Sequence, residues 1–171
     1  MKKICSICLM MLLFTYQSFA EDLANTIQVE AQKCANGIVK SDFESIFYYT
    51  HPIVLKMNGG KDQMKAIIQN GMAEMEKGGS KIVSVDIGLP TQIKTINNKI
   101  YSIVPQKIHI NVKGGYLIQN SYLLGVSDIN SEKWHFIDTA PLTNENIGFI
   151  FPDIQNQVII PEKSQPTFFQ N

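Results

Sequence analysis

IYSIVPQKIHINVKGGYLIQNSYLLGV, residues 100–126, reads as two long strands joined at Gly114-Gly115. Alternation at period 2 runs from Ile100 to Val112 and again from Tyr116 to Val126, and a glycine pair between two such runs is a hairpin signal. Pro105 cannot donate to a ladder, so it marks an edge or a bulge part way along the first run. Upstream, Val83, Val85, Ile87 and Leu89 alternate with polar or small residues until Pro90, and Thr91 to Ile96 makes a further strand ending at Asn97-Asn98. Downstream, Ser127 to Glu132 forms a loop before a last strand, Lys133 to Asp138. Strands that follow one another through such short turns pair antiparallel, because a parallel crossover needs a dozen or more residues.

Before Gly79 the period is 3.6. Leu23, Ile27, Ala31, Cys34 and Ile38 form the apolar stripe of a first helix over Asp22 to Ile38, with Gly37 placed as its C-cap. Ser41 and Glu44 have capping-box spacing, and an aromatic second helix follows through Phe43, Ile46, Phe47 and a tyrosine at 48 or 49 until Pro52. Ile53 to Met57 is expected as one brief strand, then Asn58-Gly59-Gly60 as a turn. Met64, Ile67, Ile68, Met72 and Met75 mark the inward face of a third helix ended by Gly78-Gly79. Thr143 is placed to cap one more short helix before Pro152, and beyond Val158 the chain reads as an extended tail. Helices first and antiparallel strands afterwards make an α+β fold, three N-terminal helices packed on a strongly curved sheet.

Residues 1–20 have the make-up of a secretory signal peptide: Lys2 and Lys3, an apolar run from Ile4 to Phe14, and small residues at Ser18 and Ala20. The expected organisation is a leader over 1–20, a domain over 21–142, and a short helix with an extended tail over 143–171, secreted or periplasmic and with no membrane segment after cleavage. After that cleavage thirteen lysines face fifteen acids, and the chain contains no arginine, so nucleic acid and clamped anions are not the expected partners. Cys5 and Cys8 would leave with the leader. Cys34 then stands alone on the stripe of the first helix, where a thiol with no base beside it is inert, and no disulfide can form.

The element order, with Lys40-Ser41-Asp42-Phe43 before the aromatic helix, Tyr49-Thr50-His51-Pro52 after it, Gly59-Gly60 before the third helix and Trp134-His135-Phe136-Ile137-Asp138 in the closing strand, resembles the NTF2-like superfamily, which includes ketosteroid isomerase and the SnoaL polyketide cyclases. The resemblance spans Glu21 to Leu142 and implies a cone, a bent sheet closed by helices around a pocket. Carried over position by position, the isomerase oxyanion tyrosine falls near Cys34 and its general-base aspartate near Met57, neither of which does that chemistry. The family's later carboxylic acid has no clear counterpart, with Gln106 and Asn120 nearby.

Parity along the strands places Gln106 with Ile108 and Ile110, Asn120 and Tyr122 with Leu124, and Asp138 with Trp134 and Phe136. Gln106, Asn120, Tyr122 and Asp138 are polar intrusions into apolar faces. An unsatisfied buried polar group costs about 1–3 kcal/mol, so each needs a partner from the protein, from water or from a ligand. His51, next to Pro52 at the rim of the implied cone, titrates near neutral pH and is the first choice for an acid or base; the alternative is a ring that bonds backbone in the turn. The expected ligand-binding set is Tyr49, His51, Gln106, Asn120, Tyr122, Trp134 and Asp138, with His51 and Asp138 as the catalytic candidates. Three dispersed histidines and no acid cluster give no metal set, and no cofactor is expected.

Three functions fit this pattern. The leading one is a binding module holding a small, largely uncharged hydrophobic molecule in the cone. The second is an enzyme of isomerase, dehydratase or cyclase type, with His51 or Asp138 moving a proton. The third is a homodimer or protein-interaction module that uses an outer sheet face carrying Tyr101, Ile103, Leu117 and Leu123.

Overall fold

The computed structural model describes the backbone of residues 2–170 and the side chains of residues 21–170. The side chains of the expected leader, residues 1–20, therefore lie outside those described. The backbone of Lys2–Lys40 is one helix, α1. No helix among the described residues is long and apolar enough to cross a membrane.

Of the expected α1 stripe Ile27 and Ala31 are fully buried and Leu23, Cys34 and Ile38 partly so, with Ala35 buried beside them. Two polar residues on the same helix serve the sheet. Gln28 donates to the Ile87 carbonyl at 2.8 Å, while Gln32 donates to the Val85 carbonyl at 2.8 Å and accepts from the Ile87 N–H at 3.2 Å. These amides occupy backbone groups of an edge strand that would otherwise be open to another chain. Gly37 does not end the helix. Its missing Cβ would lie 3.1 Å from Ser45 Cβ, so it lets the next helix approach closely. The left-handed residue is Ser41 (φ 55°), and the Asp42 N–H closes back to the Gly37 carbonyl at 2.9 Å. With Ser41 used in this way, the N-cap of α2 (Phe43–Tyr49) moves to Asp42, whose carboxylate accepts the Ser45 N–H.

Ile53 to Met57 is a helix, α3 (Pro52–Met57), and not a strand. Pro52 sits at the first helical position, where its fixed φ suits a helix, and the His51 ring accepts the Ile53 N–H at 3.3 Å as an N-cap. These two end effects outweigh the β-branched pair Ile53-Val54. The methionine helix, α4 (Lys61–Lys77), forms as expected but is not the core element its stripe predicts. None of its residues is buried, and Ile67 is 51% exposed.

The sheet is antiparallel throughout and curved. Its frame is the hairpin of β3 (Lys99–Val112) and β4 (Gly115–Asp128), paired along its full length. Each long strand takes two short neighbours on its outer edge. Strand β3 pairs with β1 (Lys81–Ile87) and then with β2 (Gln92–Ile96), and the change of neighbour comes at Pro105, the residue with no N–H to offer. Strand β4 pairs with β5 (His135–Asp138) and, near the hairpin turn, with β6 (Thr167–Gln170).

Both faces of this sheet are covered. The inner face packs Val104, Leu123, Phe136 and Trp134 against Ile27, Ala31, Ala35 and Tyr49. The outer face packs Tyr101, Ile103, Leu124, Val126 and Ile137 against Leu142, Ile147, Phe151, Ile154, Val158 and Ile160, which come from α5 (Ile147–Ile150), the following 3-10 turn and the chain around them. The apolar surface expected on the outer face is thus altered. Tyr101 and Ile103 lie under the protein's own C-terminal segment, and Leu123 points to the inner side.

Strand β6 is held differently, with all four residues exposed and Phe169 stacked on Tyr116 at 5.0 Å. It can approach β4 only because Gly115 has no side chain: a Cβ there would collide with the Phe169 carbonyl and stand 2.9 Å from the Phe168 ring. Gly115→Ala is expected to unseat β6 while leaving the midpoint of global unfolding almost unchanged. Limited proteolysis should then cut the last ten residues faster than in the parent protein, and an unchanged cleavage rate would show that β6 tolerates the methyl group.

Candidate ligand-binding site

Between α1, α2, α3, α4 and the inner sheet face lies an apolar cavity of about 270 Å³. Its walls include Ala35, Ile38, Val54, Met64, Val85, Ile108 and Leu123, and its polar points are Cys34, Thr50, Gln106 and Asp138. The volume is near the lower end of ligand pockets, which run from about 300 to 1,000 Å³. At ~30 Å³ per molecule it equals the liquid volume of about nine waters.

Two of the expected residues meet here. Gln106 is buried and spends one N–H on Ser121 Oγ at 3.4 Å, leaving its amide oxygen and second N–H without a side-chain partner among the described residues. Asp138 is exposed at the cavity wall; one carboxylate oxygen accepts the Ala140 N–H at 2.8 Å and the other is free of side-chain donors among the described residues. Thr50 is self-contained, its hydroxyl bonding the Ile46 carbonyl at 2.7 Å. Burial pushes the Cys34 thiol up to about 12, which removes it as a thiolate nucleophile at ordinary pH.

The other expected residues go elsewhere. Asn120 and Tyr122 sit on the outer face, because β4 runs in a register that pairs Gln106 with Ser121 and Pro105 with Tyr122. In an antiparallel ladder directly opposed residues share a face, so odd positions of β4 lie with even positions of β3. The cause is one residue in the turn. Counting both glycines into the loop aligns like parities, whereas Gly115 belongs to β4 and opposes Val112, and a one-residue slip reverses every side chain of a strand. Asn120 and Tyr122 instead line, with Asp86 and Lys107, an outer groove of about 320 Å³ that also reaches Gln106 and Ser121.

Trp134 is 2% exposed and stacked with Phe136 at 6.3 Å, a core residue and not a cavity wall. Tyr49 is also core, and burial first, then the Glu30 carboxylate to which its hydroxyl donates at 2.9 Å, raise its pKa. Met57, where the resemblance puts a general base, is 67% exposed on α3. Cys34, Thr50 and Met64 were missed as cavity residues; the helical spacing that put Cys34 and Met64 on inward faces was the available signal.

His51 is outside the cavity, its ring edge-on to Phe151 at 5.1 Å and to His135 at 5.8 Å. Of the two alternative catalytic candidates, Asp138 lines the cavity and His51 does not. Burial first, then the neighbouring His135 and Lys99, push the His51 imidazole down to about 4, with Asp128 acting in the opposite sense. His135 is also held below its ordinary value, chiefly by burial. A folded state that refuses a proton the unfolded chain accepts is destabilised as pH falls from 6.5 towards 4, and this group adds no pH dependence above that window. Discounted for partial exposure, the loss from His51 is about 1–2 kcal/mol. Urea melts at pH 7 and pH 4.5 should show it, and His51→Asn, which keeps a capping side chain, should flatten the dependence. An equal pH slope in the variant would remove His51 as its source.

No family model matches the chain, and no curated protein matches it. Among solved structures, an LEH-like epoxide hydrolase of M. tuberculosis is similar over 75% of this chain and 98% of that one, with 7% identity and a TM-score of 0.32. A likeness that loose transfers neither a residue nor a reaction. The chain's own elements are α+β, helices first and an antiparallel sheet after them, as the sequence order predicts.

Proposed function

We propose that this protein is an NTF2-like binding module, exported from the cytoplasm, that holds a small and largely uncharged apolar molecule in its inner cavity. The supporting observation is the cavity itself: an apolar space in which the buried Gln106 amide keeps an acceptor and a donor free. A ligand carrying one hydroxyl or carbonyl would pair with that amide while its hydrocarbon part lies against Ile108, Val85 and Leu123. The Cys34 and Met57 positions supply no oxyanion donor or base, so binding is favoured over isomerase chemistry.

Native mass spectrometry of protein purified from its own compartment tests this reading. A retained small apolar molecule, or saturable binding of hexanol by protein stripped of it, is the expected result. A bare mass together with no hexanol binding would overturn it.

A further inference from the structure

A second space, of about 240 Å³, lies beneath the C-terminal half of α4, between Met72 and Met75 and the end of α1. It shares two wall residues with the inner cavity, Ile38 and Ile82. Helix α4 roofs both, with Met64 over the inner cavity and Met72 and Met75 over the outer one, all on one helical stripe. The roof is lightly fastened. No α4 residue is buried, and its ties to the α1–α2 region are Ser41 Oγ to Met72 Sδ at 3.5 Å and the ammonium groups of Lys65 over Phe43 at 5.1 Å and Lys61 over Phe47 at 5.8 Å. Each end of the helix meets a glycine at positive φ, Gly60 (95°) and Gly79 (74°).

The far end of the outer space is polar. Lys40 and Lys81 line it with Glu76, and neither lysine has a carboxylate partner within ion-pair distance among the described residues. Two ammonium groups face one carboxylate in this lining, with Lys40 also bearing on the Asp42 carboxylate outside it, while the inner cavity beyond is mostly apolar with Gln106 and Asp138 as its polar points.

We propose that the two spaces are halves of one channel, parted by Ile38 and Ile82 and closed by α4 as a lid, and that it takes a single-chain amphiphile with its tail in the inner cavity and an anionic head at Lys40 and Lys81. This rests on the inner cavity as a binding site and departs from the reading above in the ligand, whose charge lies outside that cavity. From Met64 to Met75 the roof spans about 16 Å at 1.5 Å per residue, a length suited to an extended alkyl chain. Methionine suits such a roof, being unbranched and able to repack around a flexible tail.

Methyl NMR of 13C-labelled methionines, assigned through single Met→Leu variants, tests the channel with dodecanoate and hexanol as probes. Dodecanoate should shift the methyls of Met64, Met72 and Met75 together and bind about tenfold or more tightly than hexanol, whereas hexanol should shift Met64 alone. Lys40→Glu with Lys81→Glu, both on exposed positions, should weaken dodecanoate roughly three- to tenfold at low salt and leave hexanol unchanged. If dodecanoate shifts only Met64, or shifts nothing while hexanol still shifts Met64, the continuous channel is refuted and the inner cavity alone survives. If neither probe shifts any of the three methyls, the binding reading falls with it.

Discussion

A chain ending at Ala140 is expected to be unfolded. Six side chains beyond that point, Leu142, Ile147, Phe151, Ile154, Val158 and Ile160, are each at most 7% exposed and together cover the outer face of the sheet. At ~1.5–3 kcal/mol per fully buried large apolar side chain, their gross contribution rivals the about 5–15 kcal/mol by which whole domains are stable. The deletion also opens Tyr101, Ile103, Leu124, Val126 and Ile137 to water, and strips Tyr101 of the Asp153 carboxylate that its hydroxyl meets at 2.9 Å. Circular dichroism and urea titration should find no cooperative transition. A chain ending at Ser164, which loses only the exposed β6 and its approach, should melt within about 1 kcal/mol of the parent, as surface changes generally do. A cooperative transition in the shorter chain would show that the helices and the inner core fold by themselves.

Ala35→Phe is expected to abolish binding in the inner cavity without unfolding the protein. Ala35 is 5% exposed and lines the space from the α1 side, so a phenyl ring there would project into about 270 Å³ of void. Filling a cavity restores dispersion contacts, and such substitutions commonly add about 0.5–2 kcal/mol of stability. Hexanol affinity should fall by more than about tenfold while the melting temperature holds or rises, since removing one good apolar contact set is worth at least ~1.4 kcal/mol. Unchanged hexanol affinity in a stably folded variant would move the site elsewhere, and the outer groove at Asn120 and Tyr122 would be the next place to look.

Much of the architecture was legible in one dimension. The stripe of Ile27 and Ala31 and the change of period after Gly79 each report on interactions between near neighbours in the chain and took their expected places, whereas Pro105 lies not at an edge or a bulge but within the central strand β3, where its partner changes from β1 to β2. The brief strand at Ile53 was misread because a proline and a histidine at its start outweighed two β-branched residues after them. The C-terminal segment carried no usable period, since Leu142, Phe151 and Val158 reach the outer face from irregular backbone. Its helix was foreseen, but its role as half of a core was not.

For the site the division is sharper. Local chemistry was enough to pick out Gln106 and Asp138 as polar residues bound for an apolar surroundings, because strand alternation depends only on the chain's own pleat. Which of four such residues would share one cavity depended on the pairing of β3 with β4, where a single glycine counted as turn or as strand moves Asn120 and Tyr122 together from one face to the other. Alternation within a strand is a property of its backbone; the face shared by two strands is a property of their hydrogen-bonded register, and that exists only once the sheet has formed.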